Sequence, residues 1–399
     1  MKCSRKCERF WRKGWGTMQT DALLNAYIDL NILLLAGAML WLAMRSGLER
    51  TGLGKAYRPQ LRLLNAVTIL LALSPLLVLV LTSLLRHPSP NLSDLLVAQY
   101  LQGNVSMSAA RFEDLLGLRE DFVRTLLSGQ APWARFLVVG FAAGSLICSL
   151  QLGLSVFRLR KSLAQSFTWK RIGRTHLLLS DEARVAYSTR GIRARYVVLP
   201  TSLLENPKDL RLSVAHELQH FRQRDIECEF LLSALRPLLF WNPAFHIWRR
   251  EVRMLREFAC DQALMSRPSF DLRGYCECLI RACANASRDP VLFARRSPTV
   301  ALVDRRETRR GSSALVRRLH AVTAPQPQSD TPLGWALVSG LLVAAVMTTA
   351  LLLQRPADWS HDRIMLSTIV NLERMASRTS ATRPISLSAL SGSFAASSQ

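Results

Sequence analysis

The sequence has few acidic residues for its length. Its 399 residues include 29 Asp and Glu against 52 Lys and Arg, which gives a formal net charge of +23 at pH 7. Such a surplus requires a partner or compartment of opposite charge, either nucleic acid or the cytoplasmic surface of a membrane. The sequence also has no repeat at a fixed period, which excludes a repeat architecture. Its only low-complexity stretch is the Ser- and Ala-rich tail Ser377–Gln399.

The sequence lacks both a disulfide framework and a cleavable signal peptide. Five of its eight cysteines fall in a segment that is predicted below to be cytoplasmic, where thiols stay reduced. Three of them, Cys276, Cys278 and Cys283, are closely spaced but match no common zinc template. Neither Met1 nor Met18 is followed by a short apolar core and a small-residue cleavage site. We therefore expect unpaired, apolar cysteines on helices.

Long apolar segments, in contrast, are present. A helix needs about 20 apolar residues to cross a bilayer, and four segments have that length. The four predicted spans are 23–44, 63–85, 136–157 and 334–353. Lys and Arg residues cluster beside these spans, at 45–62, 158–171 and 305–318. This placement follows the positive-inside bias of membrane proteins, so we expect a lipid bilayer as partner and no direct nucleic-acid contact.

The charge distribution also predicts the topology. It places 45–62 and 158–332 in the cytoplasm and both termini outside. The basic stretch Met1–Thr17 conflicts with an outside N-terminus, so we hypothesise that it is an over-extended start and that Met18 is the true one. The remaining predicted segments are a leader 1–22, an extracytoplasmic loop 86–135, a cytoplasmic domain 158–332 and a short extracytoplasmic tail 354–399. The predicted fold class is mostly α: a four-helix transmembrane protein with a cytoplasmic α+β domain between the third and fourth spans.

Two histidines in the predicted cytoplasmic domain have the spacing of a zinc site. His216, Glu217 and His220 follow Asn206-Pro207, a cap residue and a proline that predict the start of a helix. Residues four apart stack on one helical face, so both histidines could bind one zinc ion. Glu217 would then lie beside the open coordination position and take a proton from water. Since catalytic zinc usually has three protein ligands, a further carboxylate is needed.

The best candidate for that carboxylate lies on a later helix. Asn242-Pro243 again predicts a helix start, and the helix should run to Met265. Glu257 and Asp261 are four apart and share a face, separate from an apolar stripe that includes Trp248 and Val252. We expect Glu257 to be the third ligand and Asp261 to accept a hydrogen bond from the free N–H of a zinc-binding histidine.

These segments together resemble the BlaR/MecR antirepressor peptidases, which are membrane gluzincins that transmit a β-lactam signal. Three motifs carry the resemblance, in order: His216 to Asp225, Trp241-Asn242-Pro243, and Glu257 to Asp261. The resemblance implies a gluzincin-type zinc metalloendopeptidase in a bacterial inner membrane. It also implies a cytoplasmic protein substrate, such as a BlaI/MecI-like repressor.

The resemblance carries further implications for single residues and segments. It implies that His216, His220 and Glu257 bind zinc and that Glu217 is the catalytic acid and base. Segment 194–200 resembles the strand that precedes the catalytic helix in that family and would hold substrate by edge pairing. Self-cleavage between the catalytic domain and the last span would fall in 294–313.

The sequence departs from that family after the fourth span. Family sensors carry a penicillin-binding domain there, whereas this sequence has only 354–399 and no Ser-x-x-Lys motif in it. We therefore expect sensing to fall to the outer loop 86–133, to this tail or to a separate sensor protein.

Two further residues and two further functions stay open at this stage. His246 and Tyr275 are candidate hydrogen-bond donors to the transition state, although each is more often an ordinary structural residue. A membrane quality-control protease of the HtpX type also uses a histidine pair and a later Glu-x-x-x-Asp. A catalytically inactive membrane scaffold is the alternative outside the hydrolases, and the intact His216, Glu217, His220 and Glu257 argue against it.

Overall fold

A computed structural model describes most of the chain. The described residues are 4–50, 53–85, 92–191, 194–268, 270–288, 300–301, 313–323, 332–353 and 361–381. They form two compact units. The first contains 1–29, 75–135 and 347–399, and the second contains 30–74 and 136–346. The predicted self-cleavage segment 294–313 lies outside the described residues except for 300–301 and 313.

The described part of the chain is mainly helical, with one small sheet. The helices are α1 (Ser4–Arg50), α2 (Tyr57–Leu85), α3 (Leu92–Leu101), α4 (Ala109–Ser128), α5 (Pro132–Gln165), α6 (Pro207–Gln223), α7 (Asp225–Leu239), α8 (Pro243–Met265), α9 (Leu272–Arg288), α10 (Ser313–Thr323), α11 (Pro332–Leu352) and α12 (His361–Ala381). The strands are β1 (Phe167–Ile172), β2 (Thr175–Ser180), β3 (Tyr187–Arg190), β4 (Arg195–Pro200) and β5 (Val300–Ala301). This composition agrees with the predicted α+β character of the domain between the third and fourth apolar segments.

Three helices among the described residues are long and apolar enough to cross a membrane. They are Leu23–Arg50 within α1, Pro132–Gln165 (α5) and Leu333–Leu352 within α11. These correspond to the first, third and fourth predicted spans. The helix of the first span continues to Arg50, and the helix of the third span runs from Pro132 to Gln165, beyond both predicted ends. The second predicted span, 63–85, is helical as part of α2, but most side chains in 75–85 lie outside the described residues.

The sheet has the order β1-β2-β4-β3-β5. Strand β2 pairs with β4 in parallel, whereas β1 pairs with β2, and β3 with β4, in antiparallel fashion. The inner face of β2 and β4 packs on α6 and α7 through a core of Leu177, Val197, Leu199, Phe221 and Ile226. This packing fixes α6, the helix that carries the histidine pair, against the centre of the sheet.

The first unit contains a cluster formed by α3, α4 and α12. Its buried residues are Val97, Ala109, Phe112, Leu366 and Val370. Within the same unit, the Arg119 side chain of α4 donates to Asn25 Oδ1 at 3.0 Å and pairs with Asp29 Oδ1 at 2.7 Å. It also donates to the Leu353 carbonyl at 3.3 Å. The predicted loop 86–135 and tail 354–399 thus share one core in their described parts.

In the second unit, α7 packs closely against the apolar helix α5. The Phe240 ring lies 5.7 Å from the Phe141 ring, centroid to centroid. It also fills the space beside Gly144, where a Cβ atom would collide with the ring. Glycine at 144 is therefore required for this close approach of two helices.

We predict that Gly144→Ala destabilises the protein, whereas Gly140→Ala does not. An added Cβ at 144 meets the Phe240 ring, and overpacking of this kind costs about 1–3 kcal/mol. Gly140 is one turn earlier on the same helix and has open space around it, so alanine there should be neutral or slightly stabilising. Thermal unfolding of the two detergent-solubilised variants measures the difference. Equal melting temperatures would remove the steric argument.

Candidate metal centre

Helix α6 positions the histidine pair through local interactions at both ends. At its start, the Asn206 side chain accepts hydrogen bonds from the Lys208 and Asp209 backbone N–H groups, as the sequence predicts. At its end, Arg224 adopts the left-handed conformation with φ 60° and donates its N–H to the His220 carbonyl. Since α7 begins at the next residue, this tight turn brings Asp225 directly beside His220. A non-glycine residue in this conformation costs about 1–2 kcal/mol, which is common where function fixes the backbone.

The two histidines and Glu257 bring three ligand atoms together. The Nε2 atoms of His216 and His220 lie 3.1 Å apart. Glu257 Oε2 lies 3.5 Å from His216 Nε2, and Glu257 Oε1 lies 3.9 Å from His220 Nε2. Ligand atoms in tetrahedral zinc sites are separated by about 3.3 Å, given zinc–ligand bonds of about 2.0–2.1 Å. The donor set therefore fits zinc in kind and in spacing.

Each imidazole is held from behind by a hydrogen bond at Nδ1. His220 Nδ1 lies 2.8 Å from Asp225 Oδ2, and a carboxylate can only accept, so Nδ1 carries the proton. Tyr275 Oη donates to Asp261 Oδ1 at 2.5 Å and therefore accepts from His216 Nδ1 at 2.9 Å. Both Nε2 atoms are thus unprotonated acceptors whose lone pairs face each other. Such an arrangement is repulsive unless a cation lies between them.

Burial keeps both imidazoles neutral. It lowers the pKa of His216 to about 3, and it also lowers the pKa of His220 despite the opposing effect of Asp225. Neutral imidazole is the form that binds a metal ion. The histidine pair is therefore ready to bind a metal ion at neutral pH.

Cys260 is another candidate donor near the pair, through its sulfur atom. Its Sγ could join His216 and His220 in a three-residue metal-binding group, because one ligand atom of each lies within 4.8 Å of the others. However, Sγ lies 3.5 Å from His216 Nδ1 and 3.4 Å from the His216 carbonyl oxygen. It is on the Nδ1 side of the ring, where Tyr275 already binds, whereas Glu257 is on the Nε2 side. We therefore favour Glu257 as the third donor on geometric grounds.

Glu217 is fully buried beside this cluster. Neither of its carboxylate oxygens has a hydrogen-bond partner of normal geometry among the described residues. Burial raises its pKa well above the ordinary value of 4.5, although the nearby Ser188 hydroxyl and the Arg318 guanidinium oppose this shift. A buried carboxyl group with a raised pKa beside a candidate metal site suits a general base.

Family membership follows from a comparison with known sequences. The family model described as BlaR1 peptidase M56 matches residues 26–306, which is more than half of the chain. The chain belongs to this family. The family consists of membrane metallopeptidases, so the match agrees with the predicted antirepressor-type resemblance rather than with the HtpX type. No curated protein sequence matches the chain.

In this M56 peptidase, Tyr275 and His246 do not lie where their predicted roles require, and a third residue, Asp225, had no predicted role. Tyr275 Oη binds the Nδ1 side of His216, so it positions the ring and does not face the Nε2 pair. His246 binds the Phe240 carbonyl at 2.8 Å and lies eleven residues before Glu257, about 16 Å away along α8. Asp225 was part of the quoted motif but had no assigned role, since only the turn at Arg224 brings it to His220.

Asp261 is close to its predicted position. It lies 3.5 Å from His216 Nδ1, and the Tyr275 hydroxyl bridges the two groups. The predicted direct acceptor role is therefore shared with Tyr275. The sequence gives no local sign of this arrangement, because Tyr275 is on a separate helix, α9.

A buried arginine from α10 completes the charge pattern of the site. Arg318 is 1% exposed and donates two hydrogen bonds to Asp261, at 2.8 and 3.0 Å. Its Nη1 also lies 3.1 Å from Glu257 Oε2. Burial alone would lower the pKa of Arg318, but Asp261 and Glu257 raise it well above the ordinary value, so the guanidinium stays charged. Arg318 therefore holds both carboxylates in place.

The sheet edge next to Glu217 differs from the prediction. Strand β4, which contains most of the segment predicted to pair with substrate, lies between β2 and β3, so both of its edges are occupied. The strand beside Glu217 is β3, which carries Ser188. The backbone of Val300–Ala301 pairs with β3 in antiparallel fashion, Ser188 opposite Val300. The edge-pairing prediction for 194–200 is thus wrong, because the chain order of strands is not their spatial order.

We predict that Arg318→Gln weakens the site, whereas the same change at the neighbouring Arg317 does not. Removing one partner of a buried ion pair costs about 3–5 kcal/mol, because a charged group is left uncompensated. Arg317 is exposed, and its guanidinium donates to the Met254 sulfur at 3.7 Å. Thermal unfolding of the metal-free protein and zinc titration measure the two effects. A melting temperature for Arg318→Gln equal to that of Arg317→Gln would contradict the positioning role.

Proposed function

We propose that this M56 peptidase is a zinc metalloendopeptidase whose ligands are His216, His220 and Glu257. The observation that supports this most is the pair of unprotonated Nε2 atoms that face each other 3.1 Å apart, with Glu257 on the same side. Two buried acceptors that face each other in this way repel unless a cation lies between them. Bound there, zinc would polarise a peptide carbonyl and lower the pKa of a water molecule.

The remaining side chains have separate tasks in the proposed reaction. Glu217 Oε atoms accept a proton from the attacking water and later deliver it to the leaving amine. Asp225 fixes the tautomer of His220, and Tyr275 with Asp261 fixes that of His216. Arg318 holds Glu257 and Asp261 in position. The raised pKa of Glu217 suits a group that must carry a proton during the reaction.

Strand β3 supports a peptide as the substrate. Its outer edge pairs with Val300–Ala301 of this same chain, so a substrate peptide would take the place of that segment. Ser188 on β3 is near Glu217, so a peptide on this edge runs past the general base. Edge pairing binds backbone groups and tolerates many side chains, which suits an endopeptidase.

We further propose that the substrate is a cytoplasmic protein, such as a repressor of the BlaI/MecI kind. Family membership supports a protein substrate, and the Lys- and Arg-rich segments beside the spans support a cytoplasmic domain in a bacterial inner membrane. A separate sensor protein or the unit formed by α3, α4 and α12 would supply the signal. Cleavage within 294–313 of the same chain would use the same edge.

We predict that Glu257→Ala abolishes tight zinc binding, whereas Cys260→Ala retains it. Changes around a zinc site cost about 10–100-fold in affinity, so loss of a ligand itself should exceed that range. The two residues are on the same helix and both are close to His216, which makes Cys260 a matched control. Zinc content per chain, measured by elemental analysis of purified protein, decides between them. The opposite result would move the third ligand to Cys260.

We predict that Glu217→Ala stops peptide cleavage without loss of zinc. General acid–base groups contribute about 10²–10⁴-fold to rate, so cleavage should fall by at least the lower figure. Glu205→Ala is the control, since Glu205 is exposed and outside the site. Fragments of a co-reconstituted repressor and of the chain itself are followed by mass spectrometry in membranes. Identical fragments from wild type and Glu217→Ala would support the catalytically inactive scaffold instead.

A further inference from the structure

The helical pair α7–α8 contacts α1, α2 and α5 along its whole length. Near the start of α7, the Cys228 thiol donates to Asn65 of α2 at 3.0 Å. Two turns later, Arg236 donates to Gln151 of α5 at 3.2 Å. At the end of α7, Phe240 reaches Phe141 of α5. The contacts thus move progressively along α5, away from its basic end.

Helix α8 returns along the same path. Asn242 at its start donates to Asn31 Oδ1 of α1 at 2.9 Å, and Trp248 donates to Thr68 of α2 at 2.8 Å. Glu251 then pairs with Arg45 at the basic end of α1. Further on, Phe258 packs on Tyr57, and Gln262 donates to the Lys55 carbonyl at 3.2 Å. Between Glu251 and Phe258, helix α8 therefore passes the basic ends of the predicted spans.

The depth of the α7–α8 corner, Leu238–Ile247, follows from its contacts with two separate predicted spans. Asn31 is 13 residues from the basic end of the first span at Met44, which is about 20 Å along a helix. Phe141 is 16 residues from the basic end of the third span at Phe157, which is about 24 Å. The hydrocarbon core of a bilayer is about 30 Å thick. The two estimates place the corner between about two thirds and four fifths of the way across.

The corner itself has the properties of a segment inside a bilayer. Three large apolar side chains there are exposed: Leu238 (45%), Trp241 (52%) and Ile247 (43%). Its polar groups are satisfied within the protein, since Asn242 Oδ1 accepts from the Ala244 N–H and the Asn242 N–H donates to the Leu239 carbonyl. Non-helical backbone at membrane depth is stable only when its polar groups are paired in this way.

A buried acidic residue of the pair is also compensated. Glu229 on α7 is fully buried and pairs with Arg249 at 2.7 Å and with Arg253 at 2.6 Å, both on α8. These ion pairs join the two helices to each other below the corner. Charged groups at membrane depth are normally paired inside the protein in this manner.

We propose that α7–α8 is a re-entrant hairpin whose corner, Leu238–Ile247, contacts lipid acyl chains inside the bilayer. Exposure of the corner side chains alone would not identify what covers them. Lipid is identified because the corner lies at a depth inside the predicted spans in α1 and α5. Because Glu257 is 15 residues after Asn242, about 22 Å along α8, the candidate metal site is placed at the membrane surface. The position of the hairpin does not depend on the proposed function. The further consequence that substrate is cut close to the membrane does rest on it.

The test compares two leucines of equal exposure. Leu238 is 45% exposed on the corner, and Leu204 is 44% exposed on the sheet side of the domain. The full-length protein is reconstituted in liposomes that contain a phospholipid with a diazirine near the end of one acyl chain. After photolysis, peptide mapping should find label on Leu238, Trp241 and Ile247, as on the exposed Leu146 of α5, and none on Leu204.

A second probe separates the other outcomes. Hydroxyl radicals in the aqueous phase should oxidise Leu204 and leave Leu238 unmodified. Oxidation of both leucines to the same extent would mean that water covers the corner and would overturn the proposal. Protection of Leu238 without acyl-chain label would mean that protein, such as a second copy of the chain, covers it, and would also overturn the proposal. The Glu217→Ala protein should give the wild-type pattern, so the result is independent of catalysis.

Discussion

The site depends on one electrostatic constraint. The lone pairs of His216 Nε2 and His220 Nε2 face each other, with the two atoms 3.1 Å apart and both side chains fully buried. Nothing about a helical histidine pair requires this orientation, because each ring could rotate about its side-chain bonds. It is imposed by Asp225 behind His220 and by Tyr275 behind His216. The protein thus uses hydrogen bonds from two other helices, α7 and α9, to keep the repulsive arrangement that a cation relieves.

The buried charges around the pair follow the same logic. Glu217, Glu257, Asp261 and Asp225 are four carboxyl groups in a small volume, and Arg318 is the guanidinium that contacts two of them. Burial raises the pKa of Glu217 and of Glu257, because removal from water disfavours a charged carboxylate. A divalent cation would compensate much of the negative charge of these carboxyl groups. The carboxylates and the imidazoles therefore indicate the same ligand by separate physical arguments.

The local parts of this arrangement could be predicted from the sequence, and the nonlocal parts could not. Asn206-Pro207 and Asn242-Pro243 start their helices where the pattern predicts, because caps and spacing are local signals. Arg318, in contrast, belongs to a basic run that the charge pattern assigns to the membrane surface, yet it is buried beside Asp261, 57 residues earlier. Charge alone does not distinguish an exposed arginine from a paired one. The position of β4 inside the sheet was missed for a similar reason, since pairing between distant strands has no local signal.

Helix α8 connects the membrane to the chemistry of the site. Asn242 at one end binds Asn31 in a membrane helix, whereas Glu257 and Asp261 near the other end face His216. Helix α6 packs on β2 and β4, and it also contacts α8 directly, where Gln223 donates to the Ala259 carbonyl at 3.1 Å. The histidines are therefore held between the sheet and α8, the helix that also carries Glu257 and whose start contacts α1.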